Sequence, residues 1–195
     1  REMLARRNPS VRVFDNADIV GAVLAKNQGV AAAGAPVLWF LDSDTVVPGP
    51  TVVREALALL DADPRAGAVG GEIYDRPDGV REWRQKELLV NGETRTISHE
   101  AGYGGVVEVD YLPSCNLFIR RALFDEVGGY DPGYFYLMED ADLCFRVRQL
   151  GYRCLASDAT AVEHRLVLHD RVGDLFLSHR NRDRKSTRLN SSHYS

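Results

Sequence analysis

A continuous run of apolar residues, Val37 to Leu41, most constrains how this chain can fold. A short run in which every residue is apolar is typical of a strand that is buried on both faces of a sheet. Two carboxylates, Asp42 and Asp44, follow where that strand should end, with Ser43 between them. Ligands of open α/β sheets bind outside the carboxyl ends of the strands. The sequence therefore predicts an α/β fold with a candidate site at this strand end.

The Asp-x-Asp arrangement supplies hard oxygen ligands, which suit Mg²⁺ or Mn²⁺ carrying phosphate groups. The alternative is a strand that ends in a solvated, Asp-containing turn, with Thr45 opening a loop. Because short motifs often match by chance, both interpretations stay open on these residues alone.

A second acidic cluster opens a predicted helix in residues 138–152. Glu139 and Asp140 lie at its amino end, and Asp142 precedes Arg146 by four residues, the spacing of a helical ion pair. The apolar residues of this helix recur at helical spacing (Leu143, Val147 and Leu150). Carboxylates at a helix amino end complement the helix dipole, which would lower the pKa of Asp140 and keep it ionised. That structural role is the alternative to a catalytic one.

Two further polar residues are candidates for a site. Lys26 lies in a helix predicted over residues 19–33, where it would either reach a phosphate or extend into solvent. His164 follows a predicted strand and would be either a structural histidine or a metal ligand. Neither residue decides between these alternatives alone.

The rest of the chain alternates between short strands and helices. Apolar patterning predicts strands at 11–14, 68–74, 106–111 and 117–119, and helices at 51–63 and 121–127. Residues 75–103 lack a clear period and contain Trp83 and His99, which predicts a long, mobile excursion over the surface, the kind of segment that tends to carry function.

Composition excludes some functions. The net charge of −4 argues against a general nucleic-acid surface. No apolar stretch approaches the roughly 20 residues of a membrane span. The three cysteines, Cys115, Cys144 and Cys154, form no CxxC motif and cannot all pair, which favours reduced core thiols.

The order of these motifs resembles a family 2 inverting glycosyltransferase with the GT-A fold, over about residues 8–170. The resemblance rests on residues 118–131, on Glu139-Asp140-Ala141-Asp142-Leu143 with Arg146, and on Gly151-Tyr152. Asn27-Gln28-Gly29, the apolar strand and Asp42-Ser43-Asp44 are similar to the family's donor-site segment.

The resemblance implies a mixed, mostly parallel central sheet flanked by helices, in a partial domain covering residues 1–180. It also implies that the family's first strands are missing, so that the chain is an amino-terminally truncated fragment. Residues 181–195 have almost no apolar side chains, and we expect a disordered, non-native tail there.

The resemblance also implies roles for single residues. Asp42 and Asp44 would bind the divalent cation, Mg²⁺ or Mn²⁺, with Asp44 as the closer ligand, and His164 would complete the metal site. Lys26 and Asn27 would belong to the donor-binding segment.

Asp140 would be the catalytic base, and Glu139 would support it. The implied reaction is inverting, metal-dependent transfer of a sugar from a nucleotide-diphosphate donor to a hydroxyl of a glycan or a lipid-linked acceptor. We expect no nucleic-acid partner, a cytoplasmic location and peripheral association with the inner face of the membrane. The alternatives are a nucleotidyltransferase and a catalytically degenerate glycan-binding domain.

Overall fold

The computed structural model describes residues 8, 10–75, 80–83, 86–89, 94–96 and 103–165. The proposed tail and His99 lie outside these residues. The elements, in chain order, are α1 (Gly21–Ala32), β1 (Val37–Leu41), β2 (Thr45–Val46), α2 (Thr51–Ala62), β3 (Ala66–Asp75), β4 (Val80–Trp83), β5 (Lys86–Leu88), β6 (Thr94–Thr96), β7 (Val106–Val109), β8 (Asn116–Arg120), α3 (Arg121–Glu126), α4 (Glu139–Gln149) and β9 (Arg153–His164).

A seven-stranded sheet with the order β1-β8-β3-β9-β2 forms the centre of the fold, with β4 beside β3 and β7 beside β9. Among the described strands of this sheet, β3 and β9 pair in parallel and the other pairings are antiparallel. The prediction of a mostly parallel sheet is therefore wrong, although the α/β class is confirmed. An apolar run indicates that both faces of a strand are buried, but it carries no information about the direction of the neighbouring strands.

Successive residues of a strand point to opposite faces of the sheet, so an all-apolar strand presents apolar side chains on both faces. Helices pack against both of these faces. On one face, Leu38 and Phe40 of β1 pack in the cluster that contains side chains of α1, α3 and α4. On the other face, Trp39 stacks on Phe118 of β8 with ring centroids 4.5 Å apart, next to the buried side chains of α2. The strand predicted at residues 37–41 is confirmed, but its burial on both faces is not: Leu38 and Phe40 are buried, whereas the other face is only partly covered and Leu41 is 39% exposed.

Two stretches differ from their predictions. Residues 11–14 were expected to form a strand, but they have no regular structure, and Val11 and Phe14 are 47% and 60% exposed. A short apolar pattern becomes a strand only where a neighbouring strand can pair with it. Residues 75–103, expected to lack regular structure, contain β4 and the β5–β6 hairpin among their described residues.

Strand pairing brings distant parts of the chain to one end of the sheet. Leu41 at the end of β1 pairs with Asn116 at the start of β8, because these strands are antiparallel. Thr45 in β2 pairs with His164 at the end of β9. Asp42, Cys115 and His164 are therefore close in space although they lie far apart in sequence. Within the described part of the chain, no helix has the length and apolar character that crossing a membrane requires.

Candidate active site

A cavity of about 310 Å³ lies at this end of the sheet, beside the amino end of α4. Its lining includes five residues singled out from the sequence: Lys26, Asp42, Asp44, Glu139 and Asp140. The two acidic clusters, nearly one hundred residues apart in the chain, thus contribute to one cavity. The cavity is also lined by Ser114 and Cys115, which the sequence did not single out as site residues.

Asp140 is held by two backbone N–H groups. The Ser114 N–H donates to its Oδ2 at 3.3 Å, and the Ala141 N–H donates to its Oδ1 at 2.8 Å. Hydrogen bonds to both carboxylate oxygens fix the orientation of the side chain. Asp142 points to a different partner, Arg146, with which it forms an ion pair of 2.8 Å, as predicted.

Lys26 connects the two acidic clusters. Its Nζ lies 3.1 Å from Glu139 Oε1 and 3.9 Å from Asp42 Oδ1, and it also donates a hydrogen bond to Ser114 Oγ. Only 14% of the lysine side chain is exposed, and Nζ lies 5.6 Å from the centroid of the Tyr130 ring. The interpretation of Lys26 as a solvated surface lysine is therefore wrong, because its ammonium group interacts with Glu139, Asp42 and Ser114 inside the cavity.

Burial is the largest influence on the pKa values of Asp140 and Asp42. Burial, and then the negative charge of Glu139, raise the pKa of Asp140 to about 7, although Lys26 and the two backbone hydrogen bonds act in the opposite direction. The expectation that the helix end lowers this pKa is wrong, because loss of water outweighs a helix-end effect of about 1 kcal/mol. Burial also raises the pKa of Asp42, with Lys26 and His164 opposing the increase.

The left-handed backbone before α4 sets the wall of the cavity. Leu137 and Met138 have φ angles of 68° and 69°, and both residues line the cavity immediately before Glu139. Non-glycine residues adopt this conformation rarely, and each such residue costs on the order of 1–3 kcal/mol. The surrounding structure therefore holds this segment in place.

Three residues could hold a metal ion. Ligand atoms of Asp42, Cys115 and His164 lie within 4.8 Å of one another. His164 Nε2 is also 3.2 Å from Asp44 Oδ1, so Asp44 contacts the cluster through the histidine. Oxygen, nitrogen and sulfur donors near several carboxylates fit a divalent transition-metal ion, whose positive charge would offset their negative charges.

The prediction that Asp44 is the closer ligand stays a prediction. No sequence pattern pointed to Cys115, because no cysteine or histidine stands near it at a metal-binding spacing. Its place becomes clear only from the antiparallel pairing of β1 with β8.

Asn27 does not line this cavity. Its Nδ2 donates to the Tyr130 carbonyl oxygen at 2.8 Å, and its Oδ1 accepts from the Tyr130 N–H at 3.1 Å. The side chain thereby ties α1 to the segment after α3, which helps to place Lys26, its neighbour in sequence.

The model of the family described as "Glycosyl transferase family 2" matches residues 1–128, which include both aspartates of the Asp-x-Asp motif. The chain belongs to glycosyl transferase family 2. The matched region ends before Glu139, so the helix that carries Asp140 is assigned to the site by its position in the structure.

Relatives of the family 2 domain include two curated proteins of Mycobacterium tuberculosis. The chain is 31% identical over 188 residues to an N-acetylglucosaminyl-diphospho-decaprenol L-rhamnosyltransferase, covering 82% of this chain and 60% of that protein. It is 27% identical over 168 residues to a pre-mycofactocin glycosyltransferase, covering 82% of this chain and 34% of that protein. The chain thus spans about 60% or less of the length of these relatives.

The fold of the family 2 domain is that of GT-A glycosyltransferases. A crystal structure of GalNAc-T7 with UDP, GalNAc and Mn²⁺ superposes with a TM-score of 0.67 at 18% identity, covering 86% of this chain and 35% of that one. The mannosyltransferase PcManGT from Pyrobaculum calidifontis, in complex with GDP-Man and Mn²⁺, gives 0.60 at 15% identity, covering 85% and 43%. At these identities the likeness concerns the fold alone.

Proposed function

We propose that this protein transfers a sugar from a nucleotide-diphosphate donor to a hydroxyl group of a glycan or a lipid-linked acceptor. The reaction is a metal-dependent single displacement that inverts the anomeric centre. The observation that carries the proposal is the meeting of two acidic clusters in one cavity, with Asp42 and Asp44 on one side and Asp140 on the other.

The first cluster serves the donor. Asp42, Asp44 and His164 would hold the divalent cation, Mg²⁺ or Mn²⁺, which neutralises the charge that develops on the diphosphate leaving group. Lys26 adds a positive charge 3.9 Å from Asp42 and so limits the repulsion among the carboxylates.

Asp140 serves the acceptor. Ser114 and Ala141 fix its carboxylate with backbone N–H groups, and Asp140 accepts the proton of the attacking hydroxyl. A pKa of about 7 suits this task, because a base is most effective when its pKa is near the working pH. Glu139 supports the reaction by holding Lys26 at 3.1 Å. With Asp140 as base, no enzyme nucleophile is needed.

The names of the relatives suggest substrates for the first tests. One relative is named for L-rhamnosyl transfer to a diphospho-decaprenol-linked sugar, which motivates a lipid-linked acceptor. Such an acceptor would bring the protein to the inner face of a membrane, and this peripheral association remains a prediction. Family membership favours sugar transfer over the nucleotidyltransferase alternative.

The test is an assay of sugar transfer with the purified protein. We would supply UDP-GalNAc, GDP-mannose and a nucleotide-diphosphate-L-rhamnose with polyprenyl-diphosphate-linked N-acetylglucosamine, and measure nucleoside diphosphate release and product with Mn²⁺, with Mg²⁺ and with a chelator. We expect a metal-dependent product whose anomeric configuration is inverted. Asp140→Asn should lower the rate of product formation about 10²–10⁴-fold, and Asp61→Asn, at an exposed position of α2, should leave it unchanged.

Donor binding without any product would instead identify a degenerate glycan-binding domain. A product with retained configuration would refute the single displacement, and full turnover in the chelator would refute the role of the metal.

A further inference from the structure

We propose that Ser114 is a positioning residue for the proposed reaction: its hydroxyl group holds the Lys26 ammonium group beside the acidic pair at the start of α4 and so sets the strength of Asp140 as a base. The inference rests on the proposed function in one respect, the role of Asp140. Neither acidic cluster of the sequence points to Ser114, which lies 25 residues before Glu139 in the chain.

Ser114 contacts three charged side chains of the cavity at once. Its Oγ accepts a hydrogen bond from Lys26 Nζ and lies 3.4 Å from Glu139 Oε1. Its backbone N–H donates to Asp140 Oδ2 at 3.3 Å. An ammonium group can only donate, so the hydroxyl hydrogen of Ser114 is available to the glutamate. The serine therefore links the lysine to the acidic pair.

The backbone fixes the position of Ser114. The Asn116 N–H donates to the Pro113 carbonyl oxygen at 3.0 Å and closes a turn immediately before β8. Asn116 is the first residue of β8 and pairs with the end of β1, so the turn is attached to the central sheet. Ser114 is only 5% exposed, and its hydroxyl group therefore depends on protein partners rather than on water.

The position of Lys26 depends on these contacts. A lysine side chain is long and flexible, so holding its ammonium group in one place requires several partners. Ser114 Oγ and Glu139 Oε1 are its close partners, whereas Asp42 Oδ1 lies 3.9 Å away. Glu139 Oε2 is buried without a hydrogen-bond partner among the described residues, so this carboxylate is held through Oε1. Without the serine hydroxyl group, one hydrogen bond would remain between Lys26 and Glu139.

The charge of Lys26 acts directly on the base. Burial and the charge of Glu139 raise the pKa of Asp140 to about 7, whereas Lys26 and two backbone N–H groups lower it. The other titratable groups near Asp140 or in the cavity lining are Cys144, Tyr130, Tyr136, Cys115, Asp42 and Asp44. Ser114→Ala keeps all of these groups and the backbone N–H of residue 114, and it removes only the hydroxyl group that holds the lysine.

Loss of this hydroxyl group should raise the pKa of Asp140, because the lysine is less firmly held. Moving an ammonium group from about 5 Å to about 7 Å from a carboxylate shifts the titration by roughly half a unit to one unit. At pH values below its pKa, the ionised fraction of Asp140 would fall about 3–10-fold, and sugar transfer would fall with it. Above about pH 9 the base is ionised in both proteins, and their rates should agree within about twofold.

An NMR titration measures this pKa without any turnover. We would label the aspartate carboxyl carbons with ¹³C, assign the Asp140 signal by its absence in Asp140→Asn, and titrate the wild type and Ser114→Ala in a chelator. The pKa of Asp140 should be higher in Ser114→Ala by at least about half a unit. Ser157→Ala removes a hydroxyl group that is equally buried but lies outside the cavity lining, and it should titrate like the wild type. An unchanged pKa in Ser114→Ala, or an equal shift in Ser157→Ala, would overturn the proposal.

A double-mutant cycle tests whether Ser114 acts through Lys26. Lys26→Met alone should raise the pKa of Asp140 at least as much as Ser114→Ala does, and Ser114→Ala should add nothing in the Lys26→Met background. Ser114→Thr keeps a hydroxyl group and should restore most of the wild-type value. Additive shifts, or a shift in Ser114→Thr as large as in Ser114→Ala, would overturn the proposal. Ser114→Gly, which also retains the backbone N–H, replaces Ser114→Ala if that variant does not fold.

The failure of this inference and the failure of the proposed function give different results. Sugar transfer by the wild type, together with an unchanged titration of Asp140 in Ser114→Ala, would refute the role of Ser114 alone. The expected shift in a protein that transfers no sugar would refute the proposed function, while the effect of Ser114 on Asp140 through Lys26 would stand.

Discussion

Replacing Asp140 with asparagine should lower activity and change how the free energy of unfolding depends on pH. The pKa of Asp140 rises from an ordinary value of 3.8 to about 7, first through burial and then through the charge of Glu139. Because one pKa unit corresponds to about 1.4 kcal/mol, ionised Asp140 costs the folded protein on the order of 4 kcal/mol. Between these pKa values the folded protein keeps a proton that the unfolded chain has released. The stability of the wild type therefore falls as the pH rises towards about 7, and the loss is complete above it.

The asparagine variant lacks this titration, so its stability should not show the same fall. Its amide has one acceptor oxygen and cannot accept from both the Ser114 and Ala141 N–H groups, which costs about 1–3 kcal/mol at every pH. That cost moves the whole stability curve of the variant without changing its slope. The informative quantity is therefore the difference between the two proteins at about pH 8 minus the difference at about pH 4, on the order of 4 kcal/mol in favour of the variant.

Urea unfolding followed by circular dichroism, in a chelator and at several pH values, measures this difference. Asp61→Asn, at an exposed position of α2, is the matched control and should run parallel to the wild type. Sugar transfer by Asp140→Asn should fall about 10²–10⁴-fold, the usual effect of losing a general base. Stability curves of Asp140→Asn and wild type that run parallel from about pH 4 to pH 8 would show that the pKa of Asp140 is not raised.

The other predictions concern the neighbours of this residue. Asp44→Asn should reduce turnover at limiting Mn²⁺ by at least about tenfold while the fold stays intact, because Asp44, a proposed ligand of the cation that also contacts His164, loses its charge; wild-type turnover under these conditions would contradict a metal-related role. Glu139→Gln should cost less activity than Asp140→Asn and should move the pH–rate profile to lower pH, because a negative charge that raises the pKa of Asp140 is gone; a larger loss than in Asp140→Asn would exchange the two roles. Lys26→Met should move the profile to higher pH, because Lys26 lowers that pKa, and Lys26→Arg should restore it in part; an unchanged profile in Lys26→Met would show that the lysine charge does not reach the base.

The sequence predicted the elements whose patterns are local. The strand β1, the helix α4 and the ion pair of Asp142 with Arg146 depend on residues close together in the chain, and all three are confirmed. The burial of their apolar residues is confirmed only in part, because Leu41 and Leu150 are 39% and 48% exposed. The prediction of strand direction was wrong, because the direction of a strand depends on which distant segment of the chain supplies its neighbour. The strand expected at 11–14 failed for the same reason, since no strand pairs with it among the described residues.

The site was only partly predictable. The carboxylates could be singled out because two acidic clusters are visible in the sequence, and the structure brings them into one cavity. The role of Lys26 as the link between them required the packing of α1, and the place of Cys115 required the pairing of β1 with β8. The pKa of Asp140 was predicted in the wrong direction, because a helix pattern indicates a dipole but does not report how much water the fold removes.

Two consecutive non-glycine residues, Leu137 and Met138, occupy a left-handed backbone conformation that favours glycine. Glycine would adopt these φ angles without steric cost, and its presence would make the segment easier to form. Glycine, however, would leave the cavity without two apolar walls directly beside the carboxylates, and it would let the start of α4 move. The protein keeps the side chains and accepts a strained backbone. Glycine at positions 137 and 138 would therefore increase the stability of the protein but make the geometry of the site less precise.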